Sequence, residues 1–218
     1  MIEKLFELLA PDECVVCGIE GQCLCAGCAQ DNLQLKKPAC VLCNALNTDN
    51  KVCGRCKPKT SLTGASVRYR YLGVVKELVH QMKYQNRRSI ARYFAKQLPT
   101  PDLKGDLVVS FVPSDGRSRR ARGFDQAELL ARSYAKQHGI CFRKLLIRSE
   151  HTKQVGQKRQ ERFAGVAGNF QTRASLELNK TVILVDDVIT TGATLSECAK
   201  VLKMNGIKKI WAVAIAKK

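Results

Sequence analysis

The spacing of apolar and polar residues changes several times along the chain, and each change marks an element. Residues 65–72 (ASVRYRYL) alternate in polarity, which predicts an edge strand. Apolar residues then recur at three and four over 74–84 and again over 89–98, the spacing of two amphipathic helices. Residues 107–112 (LVVSFV) are a nearly continuous apolar run of strand length, ended by Pro113. Gly123 is expected to open a helix over about 124–137, and 141–147 reads as a further strand. A polar, basic loop follows from 148 to about 168. The run 181–185 predicts a buried strand, 194–204 a helix ended by Asn205-Gly206, and 209–216 a last strand. Near the start, Ile2, Leu5, Phe6 and Leu9 have helical spacing, with a frayed terminus as the alternative. Strands alternating with helices imply an α/β fold with a parallel sheet covered on both faces. In such sheets ligands bind beyond the carboxyl ends of the strands.

Composition divides this pattern into two parts. The 218 residues carry 37 Lys+Arg against 19 Asp+Glu, a formal net charge of +18, with 45% hydrophobic residues and 11 cysteines. That apolar fraction excludes a disordered chain. No apolar run approaches the roughly 18–20 residues that span a bilayer, and acids interrupt the first apolar stretch, MIEKLFELLAPDEC. A soluble, cytoplasmic protein with no membrane span is the expectation. Residues 1–60 hold seven acids and seven bases, so the whole excess of charge lies in 61–218. Nine cysteines fall in 1–60, and only Cys141 and Cys198 lie beyond. The expected units are therefore a zinc-binding module over 1–60 and a larger domain over 61–218.

The cysteines of the first unit form four pairs, Cys14-x-x-Cys17, Cys25-x-x-Cys28, Cys40-x-x-Cys43 and Cys53-x-x-Cys56. Two thiolates at that spacing grip one side of a tetrahedral ion, so eight ligands suffice for two closed, structural Zn²⁺ sites. About 60 residues with few large apolar groups need such a staple. A disulfide framework is the alternative, and it requires an oxidising compartment. Consecutive pairing is simplest, interleaved pairing remains open, and Cys23 is a spare thiol. Eight thiolates and two dications would lower the net charge by four, to about +14, all of the change falling on this module.

The chemistry concentrates in VILVDDVITTGAT, 182–194. A buried strand delivers two adjacent carboxylates, Asp186 and Asp187, to its carboxyl end, suited to accept sugar hydroxyls. The turn Thr190, Thr191, Gly192, Ala193 and Thr194 then offers hydroxyls and backbone N–H groups at a helix N-terminus, which suits phosphate. An acidic strand end followed by an ordinary Thr cap explains the turn but not the carboxylate pair.

This segment resembles the phosphoribosyl-pyrophosphate (PRPP) signature of type I phosphoribosyltransferases over all thirteen positions. The resemblance implies that Asp186 and Asp187 bind the ribose 2′- and 3′-hydroxyls and that Thr190, Thr191, Gly192, Ala193 and Thr194 hold the 5-phosphate. Over nearly the whole chain the sequence is further similar to the ComF competence-protein branch. The shared features are the double zinc-ribbon-like start, Lys83-Tyr84 after an amphipathic helix, Arg122-Gly123-Phe124-Asp125-Gln126, and a loop with Thr152, Gln154, Glu161 and Arg162. Asp125 stands where that branch usually has Asn, and Gly165 where an Asn commonly follows the Glu-Arg pair. The implied fold is a type I phosphoribosyltransferase-like parallel sheet with helices on both faces, plus the small cysteine-rich module.

Two functions from different classes follow. The resemblance implies a PRPP-binding protein that takes part in single-stranded DNA uptake or utilisation in natural transformation, with DNA-uptake machinery proteins as partners. The alternative is an active phosphoribosyltransferase that passes the phosphoribosyl group from PRPP, or a related phosphorylated ribose, to a nitrogen base, with Mg²⁺ accompanying PRPP. Arg117, Arg119, Arg120 and Arg122 follow the first sheet strand, and Lys153, Lys158, Arg159 and Arg162 lie in the long loop. These are candidates for pyrophosphate or DNA, a solvated basic surface being the blander account. Tyr69, Tyr71, Tyr84, Tyr93, Phe111 and Phe124 lie among basic residues and offer stacking platforms, or pack in the core. His80, His138 and His151 have no metal or catalytic spacing.

Overall fold

The computed structural model describes residues 11–149, 169–173 and 180–218. The early helical pattern at residues 2–9 lies outside them. Five parallel strands form the main sheet: β1 (Gly64–Arg70), β2 (Leu107–Phe111), β3 (Cys141–Phe142), β6 (Thr181–Ile189) and β7 (Lys209–Lys217), in the order β1-β7-β6-β2-β3. A separate antiparallel pair joins β4 (Leu146–Arg148) to β5 (Phe170–Thr172).

Alternation along the central strands decides what lies on each face, because successive side chains point to opposite sides. Ile183 and Val185 of β6 join Val213 and Ile215 of β7 under α2 (Gly73–Tyr84), α3 (Ser89–Gln97) and α5 (Gln126–His138). Val182 and Leu184 join Ala212 and Ala214 under α6 (Ala193–Met204). The expected parallel sheet with helices on both faces is therefore the one observed.

Three boundaries differ from expectation. A helix α4 (Gly116–Arg122) precedes α5, and Gly123 at φ 74° closes it rather than opening the next. Its basic sequence GRSRRAR has no apolar stripe, so periodicity passed over it. Asp115, whose carboxylate accepts from Ser118 N at 2.8 Å, and Gly123 supply the start and stop. The expected strand over 141–147 splits in two. After Arg143 N donates to Val109 O, the N–H of Leu145 goes to the Ser110 hydroxyl, and the chain leaves for the β4–β5 pair. Finally, β6 runs on to Ile189, four residues beyond expectation, because β7 continues its ladder from Asp186↔Ala214 to Ile189↔Lys217.

The cysteine-rich segment, which carries the short helix α1 (Ala26–Asn32), wraps the exposed side of β1. Leu35 bridges Tyr69, Lys36 N donates to Arg68 O and Arg70 N to Gln34 O. This covers an edge that would otherwise present unpaired backbone groups. Ahead of that contact, Cys14, Cys23 and Leu24 pack with the helices α2 and α3, while Val41 behind it packs with the α6 layer. Residues 11–63 thus straddle the sheet edge.

Gly64 is where the two parts press closest. A Cβ there would stand 2.5 Å from the Trp211 ring and 2.7 Å from Asn50 O, while Trp211 Nε1 is fixed to Ser66 Oγ at 2.9 Å. The neighbouring Ala65 N donates to the same Asn50 O at 2.9 Å, so neither obstacle yields cheaply. Gly64→Ala is expected to cost about 1–3 kcal/mol through overpacking, read as a lower urea midpoint at unchanged slope.

Candidate functional site

The site is built at the carboxyl end of the sheet, where β6 outruns one of its neighbours. Pairing with β2 stops at Phe111↔Val185, whereas pairing with β7 continues. Asp186 and Asp187 therefore lie inside the strand yet beyond β2, with ladder partners on one side. Asp187 is 8% exposed. Its Oδ2 meets Lys83 Nζ at 2.8 Å, and its Oδ1 accepts from Val188 N at 2.6 Å. Asp186 Oδ1 accepts from Asp187 N at 2.9 Å.

Burial raises the pKa of Asp186 well above the ordinary carboxylate value, and the adjoining Asp187 adds to the rise. Burial acts against the Lys83 ammonium, but the Asp187 carboxylate outweighs it and the pKa of Lys83 ends raised. The pair is thus one carboxylate neutralised by an ammonium and a second that holds its proton more tightly. Lys83 sits in the last turn of α2. In the sequence it stands out only as half of Lys83-Tyr84.

After Ile189 the chain enters the turn. Thr190 and Thr191 are exposed, Gly192 is buried at φ 80°, and α6 starts at Ala193. Thr191 Oγ1 accepts from Ala193 N at 3.3 Å, and Ser196 N donates to Gly192 O at 2.9 Å. Thr194 is half-buried in the first turn. Gly192 meets a second constraint, since a Cβ there would stand 3.0 Å from Leu42 Cδ2. Leu42 lies between Cys40 and Cys43, so the cysteine-rich segment touches the turn directly. Its neighbour Val41 offers its carbonyl to the buried ammonium of Lys217, and Thr60 Oγ1 donates to Ser196 Oγ at 2.9 Å. Sequence reasoning missed these residues, although two apolar residues inside a cysteine knuckle are a signal that the knuckle is covered.

Asp125 explains why a carboxylate is accepted where the similar branch usually has Asn. It is 6% exposed, caps α5 by accepting from Ala127 N at 3.1 Å and Glu128 N at 3.3 Å, and takes Ser114 N on its other oxygen at 2.8 Å. Every bond is one in which the side chain accepts, which Asp can do at both oxygens. The adjacent Gln126 is 2% exposed, and its Nε2 has no hydrogen-bond partner among the described residues.

The eight paired cysteines gather into two groups, Cys14, Cys17, Cys25, Cys28 and Cys40, Cys43, Cys53, Cys56. Within each, all sulfurs lie within 4.8 Å of one another. This is the consecutive arrangement. A tetrahedral ion with Zn–S bonds of about 2.3 Å sets sulfurs about 3.8 Å apart. Cys17 and Cys25 Sγ are 3.7 Å apart and Cys43 and Cys53 Sγ 3.6 Å, far beyond a disulfide bond. Burial opposes a Cys14 thiolate, but the N–H groups of Cys17, Cys25 and Val16 outweigh it and lower its pKa to about 6. Ala45 N–H leads the same lowering of Cys43 to about 6. Each group can hold zinc. Cys23 belongs to neither, since it is 1% exposed and burial pushes its thiol up to about 12.

The basic candidates divide. Arg117, Arg119 and Arg120 are exposed on α4, while Arg122 is half-buried and donates from Nε to Ser118 O at 2.9 Å. Lys153, Lys158, Arg159 and Arg162 lie outside the described residues, as do Thr152, Gln154, Glu161, Gly165 and His151. Of the aromatic candidates, Tyr69 and Phe111 are core residues and Tyr93 packs edge-on against Phe94. Tyr71 lies under the Lys218 ammonium. Tyr84 is 69% exposed and Phe124 lies half-buried beneath the Arg88 guanidinium. His138 bonds through Nδ1 with Thr100 Oγ1 at 2.9 Å, and His80 lies against Tyr84 with the rings tilted by 46°. Among the described residues, no helix is long and apolar enough to cross a membrane.

Removing one partner of a buried ion pair leaves the other charge uncompensated. Lys83→Met should destabilise the protein by about 3 kcal/mol in urea titrations. Adding Asp187→Asn should recover part of that loss, because no lone charge then remains buried.

Residues 125–218 match the phosphoribosyl transferase domain family. The chain is 31% identical over 210 residues to competence protein F of Haemophilus influenzae, covering 88% of this chain and 90% of that protein. It is 28% identical over 212 residues to competence protein ComFC of Bacillus subtilis, covering 91% and 82%. With DNA utilization protein YhgH of Salmonella typhi it shares 30% identity over 177 residues, covering 74% and 76%. A phosphoribosyltransferase domain behind two four-cysteine groups, together with these relatives, places the chain in the ComF family.

Proposed function

We propose that the chain binds PRPP, or a related phosphorylated ribose, and takes part in handling single-stranded DNA during uptake or utilisation. Residues 1–60 serve in this reading as the zinc-binding module and 61–218 as the phosphoribosyltransferase-like domain. The observation that carries the proposal is the strand β6 that presents Asp186 and Asp187 immediately before the Gly192 turn and α6. The ribose 2′- and 3′-hydroxyls donate to the two carboxylates. The 5-phosphate sits against the hydroxyls and N–H groups of Thr190, Thr191, Gly192, Ala193 and Thr194, where the helix dipole favours an anion. Lys83 holds Asp187 at the strand end. The arginines of α4 supply positive charge for pyrophosphate, or for a DNA backbone through counterion release. Mg²⁺ would accompany PRPP, and its charge would offset that of the pyrophosphate. The names of the relatives support the DNA role, with uptake-machinery proteins as partners.

Calorimetry with PRPP and Mg²⁺ tests the site. Asp186→Ala with Asp187→Ala should abolish binding while zinc stays near two per chain by metal analysis. Normal PRPP binding by that variant overturns the assignment. Titration of fluorescein-labelled single-stranded DNA into the holoprotein tests the second half: binding should weaken steeply as salt rises, and absence of binding at low salt ends the DNA reading. Pyrophosphate release from PRPP with any base in a panel would instead favour the transferase.

Zinc removal has its own expected outcome. A strong chelator should lower the melting temperature and loosen the 190–194 turn, because Leu42 and Val41 lose the knuckle that holds them against Gly192 and Lys217. The checks are thermal melts and amide exchange with and without restored zinc.

A further inference from the structure

One residue along the chain from Lys83, the surface opens into a cleft of about 320 Å³ lined by Tyr84, Asn86, Ser118, Ala121, Arg122 and Phe124. We infer that this cleft is a base-stacking subsite, which takes one unpaired nucleobase of a single-stranded DNA whose backbone follows the arginines of α4. The inference rests on the DNA reading proposed above and places one contact of it.

Three observations carry it. First, Tyr84 is 69% exposed although the other aromatic residues of its layer are packed. The imidazole of His80 lies beside it, with ring centroids 4.8 Å apart. Second, another part of the lining is braced. The Arg88 guanidinium lies 4.9 Å from the Phe124 ring centroid, and Arg88 Nε donates to Asn86 Oδ1 at 3.1 Å. Asn86 holds φ 55°, a left-handed conformation open to Asn more readily than to most residues. Third, the charge has one sign: Arg122 lines the cleft, and Arg117, Arg119 and Arg120 lie on the same seven-residue helix.

An aromatic face, a cation over a second ring, and amide and hydroxyl groups between them recognise a flat, polar-edged heterocycle joined to an anion. The volume lies at the low end of small-ligand pockets, enough for one base. A base within a duplex is stacked on its neighbours and does not reach such a wall without unpairing, so the partner is single-stranded.

The test compares wild-type holoprotein with Tyr84→Ala, Phe124→Ala and Tyr84→Phe, using a thymidine 20-mer and a matching oligomer with abasic sites. Tyr84→Ala should weaken binding of the thymidine oligomer roughly ten-fold, with an unchanged dependence on salt, because stacking is lost and phosphate contacts are not. Tyr84→Phe should restore it, and the abasic oligomer should bind wild type and Tyr84→Ala alike. A 2-aminopurine placed in the oligomer should lose fluorescence on binding wild type and keep it with Tyr84→Ala. Thermal melts check that the exposed substitution leaves the fold intact. If Tyr84→Ala and Phe124→Ala both bind the thymidine oligomer as wild type does, the subsite is wrong while the DNA reading stands. Failure of wild type to bind any oligomer removes the reading itself. Saturable binding of a free base that depends on Tyr84, with oligomer binding untouched, would assign the cleft to an acceptor and overturn the proposal.

Discussion

Burying two neighbouring carboxylates at the end of a central strand is the constraint around which this end of the molecule is arranged. Asp187 is nearly inaccessible, and burial raises the pKa of Asp186 well above the ordinary carboxylate value. The Lys83 ammonium pairs with Asp187 at 2.8 Å. To deliver it, α2 must lie across the sheet with its last turn over the carboxyl end of β6. That placement also sets Tyr84, the next residue, at the rim. The short reach of β2 completes the arrangement, since a longer β2 would pair with the backbone around Asp186 and close the space beside it.

The cysteine-rich segment contributes more than a covering for β1. It grips the sheet from both sides of that edge, and the two four-cysteine groups lie on opposite faces. On the helix-rich face, Arg87 donates to Asp12 Oδ1 at 3.0 Å and to Glu13 O at 2.8 Å. On the other, the Val41–Leu42 knuckle meets Lys217 and Gly192 at the C-terminal ends of β7 and β6. A closed metal site is a rigid support, whereas a knuckle without its metal has few apolar groups of its own to keep it in place. The 190–194 turn is thereby braced by a segment distant in sequence.

Asp125 shows how a departure from a family pattern is absorbed. All of its bonds accept backbone N–H groups, so the carboxylate performs both the capping of α5 and the tie to Ser114. The negative charge it adds lies near Asp186 and contributes to the raised pKa of that acid. Its effect therefore falls on the electrostatics of the site.

Much of the molecule could be read from the chain by itself. Apolar periodicity located α2, α3, α6 and the central strands, because each buries a continuous stripe or face and period is a local property. The cysteine spacing and the Asp-Asp, Thr-Gly segment were equally legible, since both signals are contiguous in sequence. Tertiary structure alone decided the rest. Helix α4 carries no stripe, and its caps, Asp115 and Gly123, were its only signs. The length of β6 depended on where β7 and β2 stop. The pairing of Lys83 with Asp187, the seating of Leu42 on Gly192, and the opening between Tyr84 and Phe124 each join residues far apart in the chain. Sequence lists the groups available for such contacts, but which of them meet is set by packing, where the cost of a buried charge or an unfilled space is decided by neighbours that no local pattern records.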